Sequence, residues 1–343
     1  MTPSRKKALT AILIAWVPVS LEIWVRHLEL DRQWIASTLY YQESDLAVQQ
    51  TSEDPILHYE LAPGSTLEAR SRWGGTYLAT IGPQGARGNA HDLQPSQEVF
   101  RVLFFGASTV YGVEVSDHET LPSRLEYHLQ ESAPDGAQIE VWNFGTPAYV
   151  PAQMARLAHQ KIQSIPEVDL VVMMPTNRGR RAFLGGPDRL AKNYQFFFEN
   201  DPILWPENFP GPGFMPATAH LWGLNHLASY RWAWISLSHE RLRHASTNES
   251  TQALSAREMS ALEARAATRD IPIVHAGYPP LSDTTELPAA LQDLSPEKQK
   301  AGLEDRHPSP EILDLHARSL AADLIHQQLM APVIQPTVQP RSP

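Results

Sequence analysis

The chain has 343 residues, 42% of them hydrophobic, enough to bury one sizeable core, and its formal net charge of -10 supplies no basic face for nucleic acid. It has no cysteine, which excludes disulfides, thiolate metal sites and a cysteine nucleophile. Any covalent chemistry must use oxygen or nitrogen.

The N-terminus departs from the rest of the chain. Residues 8–25, ALTAILIAWVPVSLEIWV, form an apolar run near the length that crosses a hydrocarbon core, and Arg5, Lys6 and Lys7 precede it. That charge bias keeps the N-terminus cytoplasmic. No small-residue cleavage site follows cleanly, so residues 1–30 are expected to be an uncleaved signal anchor rather than a removed signal peptide, with the remainder extracytoplasmic (periplasmic). Pro18 and Glu22 weaken a lipid-facing helix and keep a buried or amphipathic helix open as the other reading.

Residues 31–97 are expected to form a stalk and a small β-rich accessory lobe. The stretch 26–54 is charged and helix-compatible, whereas 55–95 carries the turn signals PG, GG, GP and GARG between short alternating segments, which predicts hairpins.

From residue 98 to 330 the pattern predicts a parallel sheet. FRVLFFG (100–106), IEVWNFG (139–145), VDLVVMM (168–174) and IPIVHAG (271–277) are short apolar runs of the kind buried on both faces. Helical patterns lie between them: one capped by Thr120 with Leu121, Leu125 and Leu129 on one face, PAQMARLAHQKI, and ALSAREMSALEARAATRD. Strands alternating with helices place helices on both faces of the sheet and functional groups at the C-terminal strand ends. Residues 182–250 break the rhythm with aromatics and prolines and read as an insertion over that end. Trp205, Trp222, Trp232 and Trp234 are candidates to line a cleft, with packing as the competing role. The last helix fits PSPEILDLHARSLAADLIHQQL, with Ser309 as N-cap and Pro310 at its first position. The tail 331–343 has nothing to pack and is expected to be disordered.

The residues after the strands carry the chemistry. Ser108 follows the first run, Gly145 ends the second, Asn177 follows the third, and His307 precedes the last helix. A serine hydroxyl needs a base to take its proton, and the oxyanion formed by its attack needs donors aimed at it. His307 fits the base. The N–H groups of Ser108 and Gly145 and the Asn177 amide fit the donors, and a carboxylate near His307 would hold the imidazole tautomer. Arg178, Arg180 and Arg181 beside Asn177 are candidates for binding an anionic substrate group, or pair with local carboxylates. No histidine spacing fits a metal site, and no glycine-rich phosphate loop follows a strand, so neither metal nor cofactor is expected.

This order resembles the SGNH hydrolases, the GDSL-type esterase and lipase superfamily. GAST resembles its nucleophile block, NFG its glycine block, PTN its asparagine block and DRHPSP its histidine block. The lobe before them looks like the leader of membrane-anchored members. The resemblance implies a flavodoxin-like three-layer α/β/α sandwich, Ser108 as nucleophile and His307 as base. Ala107 stands where the family often has aspartate, Pro175 replaces a usual glycine, and Arg178 replaces a common aspartate. The acid is either Glu304, three residues before the histidine as family spacing has it, or Asp305. The implied activity is an envelope-anchored serine ester hydrolase acting on O-acyl groups of cell-envelope carbohydrate or lipid. O-acyl transfer to a polysaccharide and a non-catalytic envelope binding protein of the same fold are the alternatives.

Overall fold

The computed structural model describes residues 16–31, 47–88, 90–95, 98–175, 215–244, 249–277 and 307–330. The chain divides into two compact units, residues 1–43 with 179–252, and residues 44–178 with 253–343.

The second unit is built on a four-stranded sheet, β5 (Val99–Gly106), β6 (Gln138–Asn143), β7 (Leu170–Met174) and β8 (Ile273–His275), in the order β6-β5-β7-β8. Every pairing is parallel. All eight residues of β5 and all five of β7 are buried, which is why these segments read as continuous apolar runs without alternation. From β5 the chain steps to β6 on one side and then returns across β5 to β7 on the other. The carboxyl end of β5 is therefore the topological switch point, the position at which open α/β sheets generally bind ligands.

Helices fill the connections. After the single turn α2 (Ser108–Tyr111) comes α3 (Leu121–Ser132), entered by the expected Thr120 cap, which accepts the Ser123 N–H. Then follow α4 (Pro151–Ser164), α7 (Glu249–Ala267) and α8 (Pro310–His326). Leu121, Leu125 and Leu129 of α3 and Leu313, Ala317, Ala321 and Leu324 of α8 share one core cluster with alternate residues of β5 and β7. Burial of these aliphatic side chains contributes roughly 1.5–3 kcal/mol each. Ser309 occupies the N-cap position of α8 as expected, but its side chain makes no cap bond and its Oγ is buried without a partner among the described residues.

The lobe consists of two antiparallel pairs, β1 (Gln49–Thr51) with β2 (Tyr59–Leu61), and β3 (Thr66–Arg70) with β4 (Thr76–Thr80). Strand β1 falls inside the stretch expected to be a helical stalk, and Val48 is fully buried, so the stalk expectation is corrected from residue 48 onward. The lobe also belongs to the same compact unit as the sheet. Its Val48, Leu61, Tyr77, Ala79 and Ile81 form one core cluster with Tyr111 and Val113, the residues just beyond Ser108. Burying the apolar face of two short ribbons requires such a partner, because isolated two-stranded ribbons are marginal in water.

In the first unit a helix over 16–27 (α1) packs with α5 (Ala217–His226) and α6 (Ala228–His244). Glu22 explains its own presence in an apolar run. Its carboxylate accepts the N–H groups of Ala228 and Ser229 at 2.9 and 2.8 Å, capping α6, and accepts the Ser229 hydroxyl at 2.6 Å. Arg26 donates to the His226 carbonyl at 2.7 Å, and the buried Asp31 accepts two N–H groups of Arg231 at 2.8 and 3.0 Å. Trp16, Val17, Val19, Ile23 and Trp24 remain largely exposed. Among the described residues no helix is long and apolar enough to cross a membrane, and residues 8–15 of the expected span 8–25 lie outside them. Of the tryptophans assigned to the 182–250 segment, Trp222 is exposed, Trp232 and Trp234 are half-buried, and Trp205 lies outside the described residues.

Candidate active site

Ser108 stands at the C-terminal end of β5, where the strand turns abruptly into one helical turn. The turn is tight because Gly106 carries no side chain: a Cβ there would lie 2.2 Å from Val110 Cγ2. The Ser108 carbonyl accepts the N–H groups of Gly112 and Val113 at 2.9 and 3.2 Å. Gly112, in the left-handed region at φ 87°, ends the turn. Behind Ser108 the side chains of Thr109, Val110 and Tyr111 are buried, while Ser108 itself is half-buried. A reactive hydroxyl needs that combination of a fixed backbone and an accessible oxygen.

Gly145 lies against this turn. A Cβ on it would fall 2.1 Å from the Tyr111 nitrogen and 2.6 Å from the Val110 carbonyl carbon, so only glycine allows the approach. The structure therefore brings Ser108 and Gly145 to one place. The Gly145 N–H donates to Asn143 Oδ1 at 2.9 Å. Asn143 also donates from Nδ2 to the Tyr111 carbonyl at 3.3 Å, so one carboxamide ties both strand-end loops together.

Three residues further on, Ala148 is a feature that the sequence does not signal. It is a non-glycine residue at φ 62°, half-buried in an otherwise buried loop, and its N–H makes no hydrogen bond to any described residue. Positive φ at a β-carbon-bearing residue is a strained conformation that persists only where the surroundings enforce it. Here Tyr59 of the lobe donates its hydroxyl to the Pro147 carbonyl at 2.7 Å, and Tyr149 N–H donates to the Thr146 carbonyl at 3.2 Å. Tyr149 is fully buried, and burial pushes its phenol well above the ordinary value, so its hydroxyl stays neutral and donates to the Tyr59 carbonyl.

His307 is half-buried and stands three residues before α8. The start of that helix is pinned to α3 through Asp314, which accepts Arg124 Nε at 2.6 Å and faces His128 Nε2 at 2.8 Å. Burial pushes the Asp314 carboxyl up, but the hydrogen bonds from Arg124 and His128 outweigh it and hold the group below its ordinary value. Asn177, Arg178, Arg180, Arg181, Glu304 and Asp305 lie outside the described residues. A cavity of about 650 Å³ opens between the β3–β4 turn and the start of α8, lined by Trp73, Tyr77, His118, Glu119, Arg124 and Asp314 among others. Of the expected site residues that are described, Ser108, Gly145 and His307 do not line it. No group of three or more metal-ligating side chains occurs among the described residues.

No protein-family model and no curated protein matches this sequence. Among solved structures the chain is similar to a carbohydrate acetylesterase from Sinorhizobium meliloti, with 13% identity, 66% of this chain and 99% of that one covered, and a TM-score of 0.28. It is also similar to a catalytic mutant of an acetylxylan esterase from Geobacillus stearothermophilus, with 13% identity, coverage of 66% and 94%, and a TM-score of 0.27. A third is a member of the lipolytic protein G-D-S-L family from Veillonella parvula, with 11% identity, coverage of 67% and 100%, and a TM-score of 0.24.

Proposed function

We propose that this chain is a serine ester hydrolase of the SGNH type, in which Ser108 attacks an ester carbonyl and His307 takes its proton. The observation that carries this reading is the placement of Ser108. It is a half-buried serine on a one-turn helix directly beyond strand β5, at the carboxyl end of the sheet where the strand order reverses. The attack forms a Ser108 Oγ–acyl bond and expels the alcohol, which receives the proton from His307. Water then attacks the acyl-enzyme, with His307 as base again, and releases the acid and free Ser108. The developing oxyanion is met by the Ser108 N–H and the Asn177 amide. Ala148 N–H takes the place first given to Gly145, whose own N–H is already bonded. Glu304 or Asp305 orients His307, and the arginines at 178, 180 and 181 are available to an anionic part of the substrate.

The substrate class follows from location. Residues 1–30 anchor the chain with Arg5, Lys6 and Lys7 on the cytoplasmic side, which leaves the site facing O-acyl groups of envelope carbohydrate or lipid. A reporter fused after Pro343 reads as extracytoplasmic if this holds, and a cytoplasmic signal refutes it.

The test of activity is hydrolysis of acetylated sugars and p-nitrophenyl esters together with fluorophosphonate labelling, each compared with Ser108→Ala. Loss of both signals in the variant, with the fold intact, supports the nucleophile. Hydrolysis unchanged in Ser108→Ala refutes it, and a wild type that does not label while a control esterase does points to a binding protein. Product that appears only when a sugar acceptor is supplied identifies acyl transfer.

A further inference from the structure

The turn that carries Ser108 is too short to hold itself. Four residues form a single helical turn, below the length at which a helix is stable alone, and its terminal carbonyls have no partners within it. The last of them, on Tyr111, and the carbonyls of Gly112 and Val115 just beyond the turn meet one side chain from the lobe. Arg87 donates from Nη1 to the Tyr111 carbonyl at 2.8 Å and to the Gly112 carbonyl, and from Nη2 to the Val115 carbonyl at 2.5 Å. Its Nη2 also reaches the Leu78 carbonyl at 3.4 Å, and its Nε donates to Asp117 Oδ1 at 2.9 Å. The guanidinium lies over the Tyr111 ring with its carbon 4.3 Å from the centroid.

Arg87 is 3% exposed, and its backbone N–H donates to the Asn143 carbonyl at 2.8 Å. One residue thus grips the turn after β5 with its side chain and the end of β6 with its main chain. A cation at the end of a helical turn also meets the negative pole of that turn. A planar fork with five N–H donors satisfies this acceptor set, and a lysine, with three donors on one atom, does not.

We propose that Arg87 is the positioning residue of the Ser108 turn, and that the lobe is part of the catalytic scaffold rather than a spacer. The proposal rests on Ser108 being the nucleophile, but its structural half is testable without that reading. Removing the fork takes the guanidinium donors from the carbonyls of Tyr111, at the end of the turn, and of Gly112 and Val115, just beyond it, and leaves only the longer Asn143 bond on Tyr111, so the turn frays and Ser108 departs from its working position. A displacement of about 1 Å at a reacting group lowers rates by roughly 100-fold.

The experiment uses the full chain and compares Arg87→Lys, Asp117→Asn and Arg101→Lys. Arg101 is the matched control. It is 1% exposed and fully engaged with Glu140, Pro166 and Asp92, yet it lies toward the opposite end of β5 from Ser108. Fluorophosphonate labelling gives two readouts: the end point counts competent sites, and the rate constant reports how well each is set. We expect Arg87→Lys to lower the rate constant at least tenfold while the end point stays near wild type. Asp117→Asn should lower it less, about threefold, and Arg101→Lys should alter only the end point. Equal rate constants in all three variants overturn the proposal, as does a lower end point in Arg87→Lys at an unchanged rate, which marks a purely structural role.

Amide exchange at Gly112 and Val113, whose N–H groups bond to the Ser108 carbonyl, supplies the second measurement. Faster exchange there in Arg87→Lys or Asp117→Asn but not in Arg101→Lys supports the positioning role even if the wild type fails to label, which would refute the esterase reading alone. Unchanged exchange in both variants overturns it whatever the activity. If Arg87→Lys does not fold, Asp117→Asn carries both readouts.

Discussion

Replacing Gly145 by alanine separates the two roles a glycine could have beside Ser108. Alanine keeps the backbone N–H, so a role limited to donating that N–H predicts no effect. The structure predicts a large one. The added Cβ would lie 2.1 Å from Tyr111 N, 2.6 Å from Val110 C and 2.7 Å from Tyr111 Cα, all of them backbone. Ordinary contact begins near 3.4 Å, so the two segments must part by more than about 1 Å. Neither yields easily. The Gly145 loop is held by Phe144 N–H on the Phe104 carbonyl at 2.8 Å and by Thr146 N–H on the Gly106 carbonyl at 3.0 Å. The Ser108 turn is held by Arg87. Gly145 has no positive φ, so the effect is steric and not a backbone preference. Overpacking of this kind costs about 3 kcal/mol, the upper part of the usual range. The accompanying shift of Ser108 is expected to slow labelling on the order of 100-fold. Urea denaturation followed by tryptophan fluorescence measures the first, and the fluorophosphonate rate constant measures the second. Stability within about 0.5 kcal/mol of wild type together with a labelling rate within about twofold would refute the packing argument.

Three further outcomes follow from buried charge. Burial lifts the Glu126 carboxyl to about 7 while Val141 N–H donates to it at 2.7 Å, so the folded protein holds a proton there that the unfolded chain releases near 4.5, and stability falls as pH rises between those values. Glu126→Gln keeps the acceptor and removes the charge. It should raise stability by up to about 3 kcal/mol at pH 8 and leave it unchanged at pH 4, and a pH-independent difference in urea midpoint would contradict this. Burial lowers His316 from 6.5 to about 4, so stability is lost as pH falls through that window, and His316→Gln should flatten the acid limb of the unfolding curve; an unaltered acid limb counts against it. Asp54 accepts Arg156 Nε and Gln160 Nε2 at 2.8 Å and the Ile56 N–H at 2.8 Å, tying the lobe to α4. Asp54→Ala should destabilise the chain by about 2 kcal/mol or more, and a urea midpoint equal to wild type would show that these bonds contribute nothing net.

The sequence by itself determined the strands of the sheet, the helices between them and the place of Ser108, because each is a local property. A strand buried on both faces must be a continuous apolar run, as FRVLFFG and VDLVVMM are. A helix start is marked within four residues, as at Thr120. Reading the turn residues at the strand ends likewise found that Gly145 sits beside Ser108, but not why. Its glycine identity answers to the Tyr111 backbone, 34 positions earlier, and its N–H donates to Asn143 Oδ1. Three matters only the tertiary structure decided. Ala148 adopts positive φ in a residue type that gives no such signal, because Tyr59 of the lobe holds the neighbouring Pro147 carbonyl. Glu22 looks like a flaw in an apolar helix until the N–H groups of Ala228 and Ser229, more than two hundred residues away, are seen to need it. Arg87 reads as one residue of a turn-rich GARG segment, yet it is buried under five carbonyl and carboxylate acceptors, one on Leu78 and four between Tyr111 and Asp117. The reason is the same in each case: periodicity and turn chemistry are set by near neighbours, whereas the partner that satisfies a buried polar group is set by the packing of distant segments.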